Sequence, residues 1–531
     1  MLQTSIDYSL YLVTGRELLP QGKDYLQSLE ESLEGGVTVV QIREKKAETA
    51  EFLDIASKSK DICARYNVPL LINDRIDIAL AVGADGVHIG QTDMPVSIAR
   101  KLLPKDSIIG VSCNTIEELE MAIKDGADYV GIGAVYATQT KDLVKPLVGV
   151  RGVGSMLRLL DGTSIKAVAI GGINLKNVLR TLHGTVSETG HALDGIAVVS
   201  AIVTSINPRQ AAADLAEIIR EFKKGPSLTR GLSISTNGYT VDTIINSITT
   251  LMKSIRILNP LIHQITNNVV TTQSANVTIA LGASPIMATT ADEMSDLAEI
   301  CGALLVNIGT LTPPAYAGML KAGFHVNALK KPVVFDPVGV GATEFRKKVV
   351  KDLLDKWQAT VIKGNAGELA ALVGSNEVAS KGVDTAGEGF KDPVLFVKTL
   401  ARRERCIIVL TGKTDYISDG HTCAILNNGH QFLGEITGSG CATGSCIASY
   451  CAVASLLARA DRKMGAIPGQ LVEGDMFVAA IAGLLVFNVA AEFAAVRGDV
   501  KGPGTFFPAL VDELASLTPE KVVRRVKIQI V

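Results

Sequence analysis

Asp74 and Asp93 each follow a short apolar run, in Leu70-Leu71-Ile72-Asn73-Asp74-Arg75 and in Gly86-Val87-His88-Ile89-Gly90-Gln91-Thr92-Asp93. Between the runs, residues 76–83 fit a helix closed by a glycine. A strand, helix, strand unit of this length implies a parallel pair, which puts both aspartates just beyond strand C-termini. Parallel α/β folds bind their ligands at that end of the sheet. Two carboxylates meeting there suit Mg²⁺ bound to a substrate diphosphate. They also suit a plainer role, Asp74 capping the helix that follows it and Asp93 the helix opened by Met94-Pro95. The segment alone leaves both open.

Other polar clusters in the first half follow apolar runs in the same way. Alternation along Gln41-Ile42-Arg43-Glu44-Lys45 aims Gln41, Arg43 and Lys45 to one side, and the two cations form a clamp for phosphate oxygens. Ser112 ends a fifth run, and Ala137-Thr138-Gln139-Thr140-Lys141 is a polar loop with one cation. Gly171-Gly172 and Val199-Ser200 end the seventh and eighth, where barrels commonly hold a phosphate on backbone N–H groups. Taken singly, Lys45 reads as a solvated lysine, Gly-Gly as a turn and Ser200 as a helix cap. Six clusters at six strand ends argue for a shared face.

In the second half, Glu435-Ile436-Thr437-Gly438-Ser439-Gly440-Cys441 runs into a long apolar helix. Small residues at a helix start expose N–H groups that suit a transferring phosphoryl group, and a thiol in that first turn tends to a lowered pKa. Asp336, opening Asp336-Pro337-Val338-Gly339-Val340-Gly341-Ala342-Thr343, and Glu368, closing Lys363-Gly364-Asn365-Ala366-Gly367-Glu368, could place a metal near nucleotide phosphates. No Walker-type Gly-x4-Gly-Lys-Ser/Thr loop is present, since Gly412-Lys413-Thr414 lacks the glycine five residues before it, and this disfavours a P-loop kinase.

These clusters need a scaffold. Strands are expected at 11–14, 37–43, 70–73, 86–89, 108–112, 129–135, 167–171 and 195–199, with helical stretches between, which is the count and size of a (β/α)8 TIM barrel. Residues 1–222 form this domain. Residues 223–240 are polar, Gly- and Pro-containing and aperiodic, as in a linker. Residues 241–531 open with a helix at 241–259. Strands follow at 303–308, 332–335, 360–363, 406–410, 416–418 and 423–426, the last two forming a hairpin around Asp419-Gly420. Residues 376–392 suit a surface loop, and the chain beyond Gly440 is almost wholly helical to about 517. The expectation is a doubly wound α/β layer.

Bulk properties fit two such domains. At 531 residues the chain exceeds one core, and 47% apolar with 5% aromatic content describes an aliphatic interior. A net charge of −2 without Lys/Arg runs excludes a nucleic-acid surface. Eight cysteines without ligand spacing suit free thiols in a reducing, cytoplasmic setting. Asp7 precedes any hydrophobic stretch, so no secretory signal is expected. The longest apolar run, 476–487, is too short to span a bilayer and is expected to be a buried or subunit-contact helix.

The first-half motifs resemble thiamin-phosphate synthase: Gln41-Ile-Arg43-Glu-Lys45, Asn73-Asp74-Arg75, His88 to Asp93, Gly110-Val-Ser112, Thr138-x-Thr140-Lys141 and Gly171-Gly172. The resemblance implies that Asp74 and Asp93 hold Mg²⁺. It gives Gln41, Arg43, Lys45, Asn73, Ser112 and Lys141 contacts to hydroxymethylpyrimidine diphosphate, with Ser112 and Lys141 catalytic. Thr138, Thr140, Gly172, Val199 and Ser200 would hold thiazole phosphate. The connection 184–191 is longer than usual for the family, which bears on the register near Val199.

The second-half motifs resemble hydroxyethylthiazole kinase of the ribokinase-like group. By resemblance Met287 and Gly438 line the thiazole-alcohol site, Lys363 and Thr411 contact ATP, and Cys441 is the catalytic base. Lys363 replaces a frequent Arg, and Gln264 interrupts the usual His-Asn-Ile-Thr-Asn. The family also implies a homo-oligomer, a trimer through the kinase domain or a hexamer. Together these describe a fused enzyme of thiamin biosynthesis taking hydroxyethylthiazole, ATP and the pyrimidine diphosphate, with no nucleic acid or membrane partner. Three rivals are a thiazole tautomerase barrel, a hydroxymethylpyrimidine kinase in the second half, and a metabolite-binding regulator with dead sites.

Overall fold

In the computed structural model the described residues are 6–138, 140, 145–187, 189–224, 238–375, 378–381, 384–386, 389–461 and 469–531. They form two compact units, one reaching Lys224 and the other running from Gly238, apart from Gly469. The last helix of the first unit, Pro208–Lys224, ends two residues past the expected boundary. Most of the expected linker, residues 225–237, lies outside the described residues.

The first unit is a closed barrel of eight parallel strands in chain order. They are β1 (Leu10–Val13), β2 (Val39–Ile42), β3 (Leu70–Asn73), β4 (Gly86–Ile89), β5 (Ile108–Cys113), β6 (Tyr129–Ile132), β7 (Lys166–Ile170) and β8 (Gly195–Val198). The β1 to β8 pairing, Leu10 with Ile196, closes the ring. Tyr8, Tyr11, Val13, Val39, Leu71, Ile108, Tyr129, Val168 and Ala197 fill its interior, with every second strand residue turned inward. The expected helix at 76–83 is Ile76–Val82, stopped by Gly83 in the left-handed conformation, as its place in the sequence required. The long 184–191 connection contains a bridge between Val186 and Ala192, and β8 after it is in full register with β7.

The second unit is a nine-stranded sheet with helices on both faces. Its strands are β9 (Leu261–Ile265), β10 (Ser284–Ile286), β11 (Ala303–Asn307), β12 (Val333–Asp336), β13 (Val361–Asn365), β16 (Ile407–Thr411), β17 (Asp415–Ser418), β18 (Cys423–Leu426) and β19 (Ile528–Ile530). The order is β10-β9-β11-β12-β13-β16-β17-β18-β19, parallel through β16 and antiparallel beyond. Residues 376–392 are not wholly loop, because β14 (Ala379–Lys381) and β15 (Asp384–Ala386) pair antiparallel there.

Each sheet face carries its own apolar core. One includes the helices Ser439–Ala460 and Met476–Ala495, which are long and apolar enough to cross a membrane but spend most of that surface inside the unit. Asn307, Asp336, Asn365 and Thr411 are the last residues of adjacent parallel strands, so the polar groups of this unit share one edge.

Candidate active sites

In the barrel, neither aspartate caps its helix. Arg75 precedes the helix Ile76–Val82 and Pro95 the helix Val96–Leu102, with no side-chain cap at either. Asp74 instead adopts φ 63°, a conformation costly for any residue but glycine, asparagine or aspartate. Asp93 folds back to accept the Gly90 N–H at 2.7 Å. The two carboxylates hydrogen-bond to each other. Burial and then that bond raise the Asp74 pKa. Burial would raise Asp93 too, but its bonds to Asp74 and to the Gly90 N–H outweigh this and hold it low. Lys45 forms an ion pair with Asp74.

The clamp is built differently from the simple alternation expected. β2 ends at Ile42, so Arg43 and Lys45 sit on the loop beyond it. The Arg43 backbone N–H donates to Thr14 Oγ1 at 2.9 Å, and its guanidinium lies 3.8 Å from Glu17. Gln41 is buried and donates through Nε2 to Asn73 Oδ1 at 2.7 Å. Ser112 Oγ lies 2.8 Å from His88 Nε2.

Thr138 and Thr140 hydrogen-bond to each other, while Lys141 lies outside the described residues. Gly171 and Gly172 both have positive φ, and a Cβ on Gly172 would come within 2.5 Å of the Ala137 carbonyl. Only glycine lets this turn close against the loop that bears the threonines. Ser200 starts a short helix, Ser200–Val203, for which Val199 is the capping residue and offers no side-chain cap.

In the second unit a chain of amides fixes the polar edge. Asn267 Nδ2 donates to Asn307 Oδ1 at 2.9 Å, and Asn307 Nδ2 donates to Asp336 Oδ2 at 2.9 Å. The same two amides donate to Cys441 Sγ at 3.4 and 3.2 Å. Lys363 Nζ pairs with Asp336 Oδ1 at 3.2 Å, and a Cβ on Gly440 would sit 3.4 Å from that ammonium.

Two expectations need correction. The Cys441 thiol is pushed up to about 11, not down, because burial and the nearby Asp336 carboxylate outweigh Lys363 and the amide donors. Asp336 and Glu368 also do not form an open pair of ligands. The Asp336 oxygens face Lys363 and Asn307, and those of Glu368 accept backbone N–H groups of Gly339 and Asn365 at 3.0 and 2.9 Å. Glu368 closes a capping box with Asn365, and burial followed by Asp336 raises its pKa to about 7.

Gly438 has φ 81°, and a Cβ there would lie 2.3 Å from Val270 Cγ1. Met287 follows β10 half-buried, and Thr411 Oγ1 ends β16 with a 3.4 Å bond to the Gly364 carbonyl. Gln264 is buried, donating to Thr278 Oγ1 and accepting from Ser445 Oγ, both at 2.8 Å. Its place in the opening motif is therefore a tie between β9 and the helix that bears Cys441. Asn307, Tyr11 and Tyr129 carried no recognisable signal, since an amide or phenol at a strand position reads as ordinary core.

The two folds and their polar ends define a two-domain transferase. The hydroxyethylthiazole kinase family model matches residues 252–520, and the thiamine monophosphate synthase model matches residues 10–202. A probable thiamine biosynthetic bifunctional enzyme of Schizosaccharomyces pombe is 41% identical, covering 98% of this chain and 97% of its own. The thiamine biosynthetic bifunctional enzyme of Saccharomyces cerevisiae is 36% identical, covering 97% and 96%. A hydroxyethylthiazole kinase of Histophilus somni is 42% identical over 51% of this chain and 95% of its own. The chain belongs to the family of thiamine biosynthetic bifunctional enzymes. It is an enzyme with a thiamine-phosphate synthase domain and a hydroxyethylthiazole kinase domain, and these matches do not favour the tautomerase and pyrimidine-kinase alternatives.

Proposed function

We propose that the barrel site works on a diphosphate held by Mg²⁺ at Asp74 and Asp93, and that the kinase site transfers the γ-phosphoryl group of ATP beneath the helix start at Gly438 to Cys441. The observation that carries the barrel assignment is the pair of facing carboxylates, one with its pKa raised by burial and the other held low, with Lys45 beside them. That donor set fits a hard divalent cation, which usually takes one or two carboxylates and completes its shell with phosphate oxygens and water. Bound there, Mg²⁺ would offset negative charge building on the departing pyrophosphate.

In the synthase step the bond between the pyrimidine methylene carbon and the diphosphate oxygen breaks. The thiazole nitrogen then forms the new C–N bond. Arg43, Lys45 and Lys141 take the diphosphate oxygens. Gln41, Asn73 and Ser112 orient the pyrimidine diphosphate. Thr138, Thr140 and the N–H groups at Gly172, Val199 and Ser200 take the thiazole phosphate.

In the kinase step the thiazole alcohol, lined by Met287 and Gly438, attacks the γ-phosphorus, and ADP leaves. Lys363 and the N–H groups of the first helical turn meet the phosphoryl oxygens, while Thr411 contacts the nucleotide. The alcohol proton leaves late, to an oxygen of the transferred phosphoryl group, since a loose transition state requires little proton removal beforehand. Cys441, kept protonated by burial, positions the alcohol rather than serving as its base. Asp336 positions Lys363, and any metal near Asp336 or Glu368 would be held mainly by the nucleotide's own phosphates. The family resemblance supports a homotrimer or hexamer, and the eight free cysteines suit a cytoplasmic enzyme.

The test is synthase turnover against free Mg²⁺. Chelation should abolish turnover and Mg²⁺ restore it, whereas full turnover in excess chelator would refute the metal assignment. Sedimentation analysis should give three or six copies.

A further inference from the structure

Six side chains make one continuous hydrogen-bonded chain inside the barrel. Gln41 Nε2 donates to Asn73 Oδ1 at 2.7 Å. Tyr11 Oη donates to Gln41 Oε1 at 3.2 Å and lies 2.7 Å from Tyr129 Oη. Tyr129 Oη lies 2.7 Å from His88 Nδ1, and His88 Nε2 lies 2.8 Å from Ser112 Oγ. The path has a residue on each of the six strands from β1 to β6, and it ends on two residues already assigned to the pyrimidine diphosphate. The fold makes room for it. A Cβ on Gly110 would fall 2.0 Å from the Tyr129 ring, and one on Gly131 would fall 3.3 Å from His88 Cε1. Gln91 Nε2 secures the Ser112 carbonyl at 2.7 Å.

Counting protons gives the chain a direction. Burial raises both tyrosine pKa values, so each phenol is neutral and has one proton to give. The Gln41 amide spends an N–H on Asn73, so its oxygen faces Tyr11 and must accept the Tyr11 proton. Tyr11 must then accept from Tyr129, and Tyr129 must accept from His88 Nδ1–H. A neutral imidazole protonated at Nδ1 has a bare Nε2, which must accept the Ser112 hydroxyl proton.

We infer that this relay makes His88 and Tyr129 positioning residues for the synthase, holding His88 in its Nδ1–H form and presenting Ser112 Oγ to the substrate as an acceptor. Asn73, its oxygen already engaged, presents its amide N–H groups as donors. A diphosphate offers only acceptor oxygens, so Ser112 meets an N–H of the aminopyrimidine, and Asn73 meets a ring nitrogen or a diphosphate oxygen. The inference rests on the synthase reading of this site for its substrate. The direction of the relay does not.

The experiment is ¹⁵N NMR of the full-length enzyme labelled at histidine, with His88 assigned by loss of its signals in His88→Gln. The expected result is a protonated Nδ1 and a bare Nε2. A protonated Nε2 with bare Nδ1, or an imidazolium, overturns the inference. Tyr129→Phe keeps the ring and removes the oxygen. With thermal unfolding unchanged, it should lose the single tautomer. Its kcat/KM for the pyrimidine diphosphate should fall about tenfold or more, toward the 10²-fold cost of a misplaced group, with KM for thiazole phosphate unaltered. Wild-type kinetics in Tyr129→Phe overturn the positioning role. A correct tautomer in an enzyme without synthase turnover would instead fault the synthase reading.

Discussion

Lys363 Nζ lies 3.2 Å from Asp336 Oδ1, both side chains are closed off from solvent, and the ammonium faces the helix start at Gly440. Breaking one member of such a pair leaves an uncompensated buried charge, at a cost of about 3–5 kcal/mol. Lys363→Met should therefore destabilise the kinase unit by that order and remove kinase activity. The double variant Asp336→Asn with Lys363→Met should recover much of the stability in urea unfolding, but none of the kinase rate. A Lys363→Met enzyme with wild-type phosphoryl transfer would show that the pair is structural only.

Asp74 sits at φ 63°, so the choice of substitution matters. Asparagine tolerates that backbone, whereas alanine adds strain to the loss of charge. Asp74→Asn should keep the fold and lower the synthase rate by orders of magnitude at saturating Mg²⁺. The raised Asp74 pKa adds a pH effect. Protonation of Asp74 competes with Mg²⁺, so metal affinity should fall as the pH drops through the Asp74 titration, and Asp74→Asn should flatten that profile. Calorimetric Mg²⁺ titrations in the presence of pyrophosphate, at several pH values, would measure it. A pH-independent affinity in the wild type would contradict the raised Asp74 pKa.

With its thiol near 11, Cys441 is almost wholly protonated at neutral pH. Cys441→Ala should therefore retain measurable kinase activity, losing toward the lower end of the roughly 10²–10⁴-fold range for a general base. The neighbouring glycines differ from each other. A Cβ on Gly440 meets only Lys363 Nζ at 3.4 Å, whereas one on Gly438 collides with Val270 at 2.3 Å and carries a positive φ. Gly438→Ala should do more harm to kcat than Cys441→Ala. The reverse order would mean that proton removal outranks the anion site.

The barrel was legible because its information is local. β3 and β4 span the expected residues, Gly83 stops its helix, and the two aspartates follow strand ends as their spacing required. The rest depends on partners far apart in the chain. β9 was missed because His263 and Gln264 put two polar residues into a five-residue strand, and nothing local says that Gln264 is satisfied by Thr278 and Ser445. Cys441 misled for the same reason. Its helix position argues for a low pKa, and only the packing of Asp336, Asn307 and Asn267 around it reverses the sign. The tyrosines of the relay looked like filler until their hydroxyls were seen to meet.

One chain carries a synthase domain and a kinase domain, whose chemistries act in sequence. Mass spectrometry of the products from hydroxyethylthiazole, ATP, hydroxymethylpyrimidine diphosphate and Mg²⁺ tests this most directly, in the wild type and in Asp74→Asn. The wild type should yield ADP, thiamin phosphate and pyrophosphate, while Asp74→Asn should stop at ADP and thiazole phosphate. Wild-type levels of thiamin phosphate from Asp74→Asn, or loss of thiazole phosphate along with it, would contradict the account.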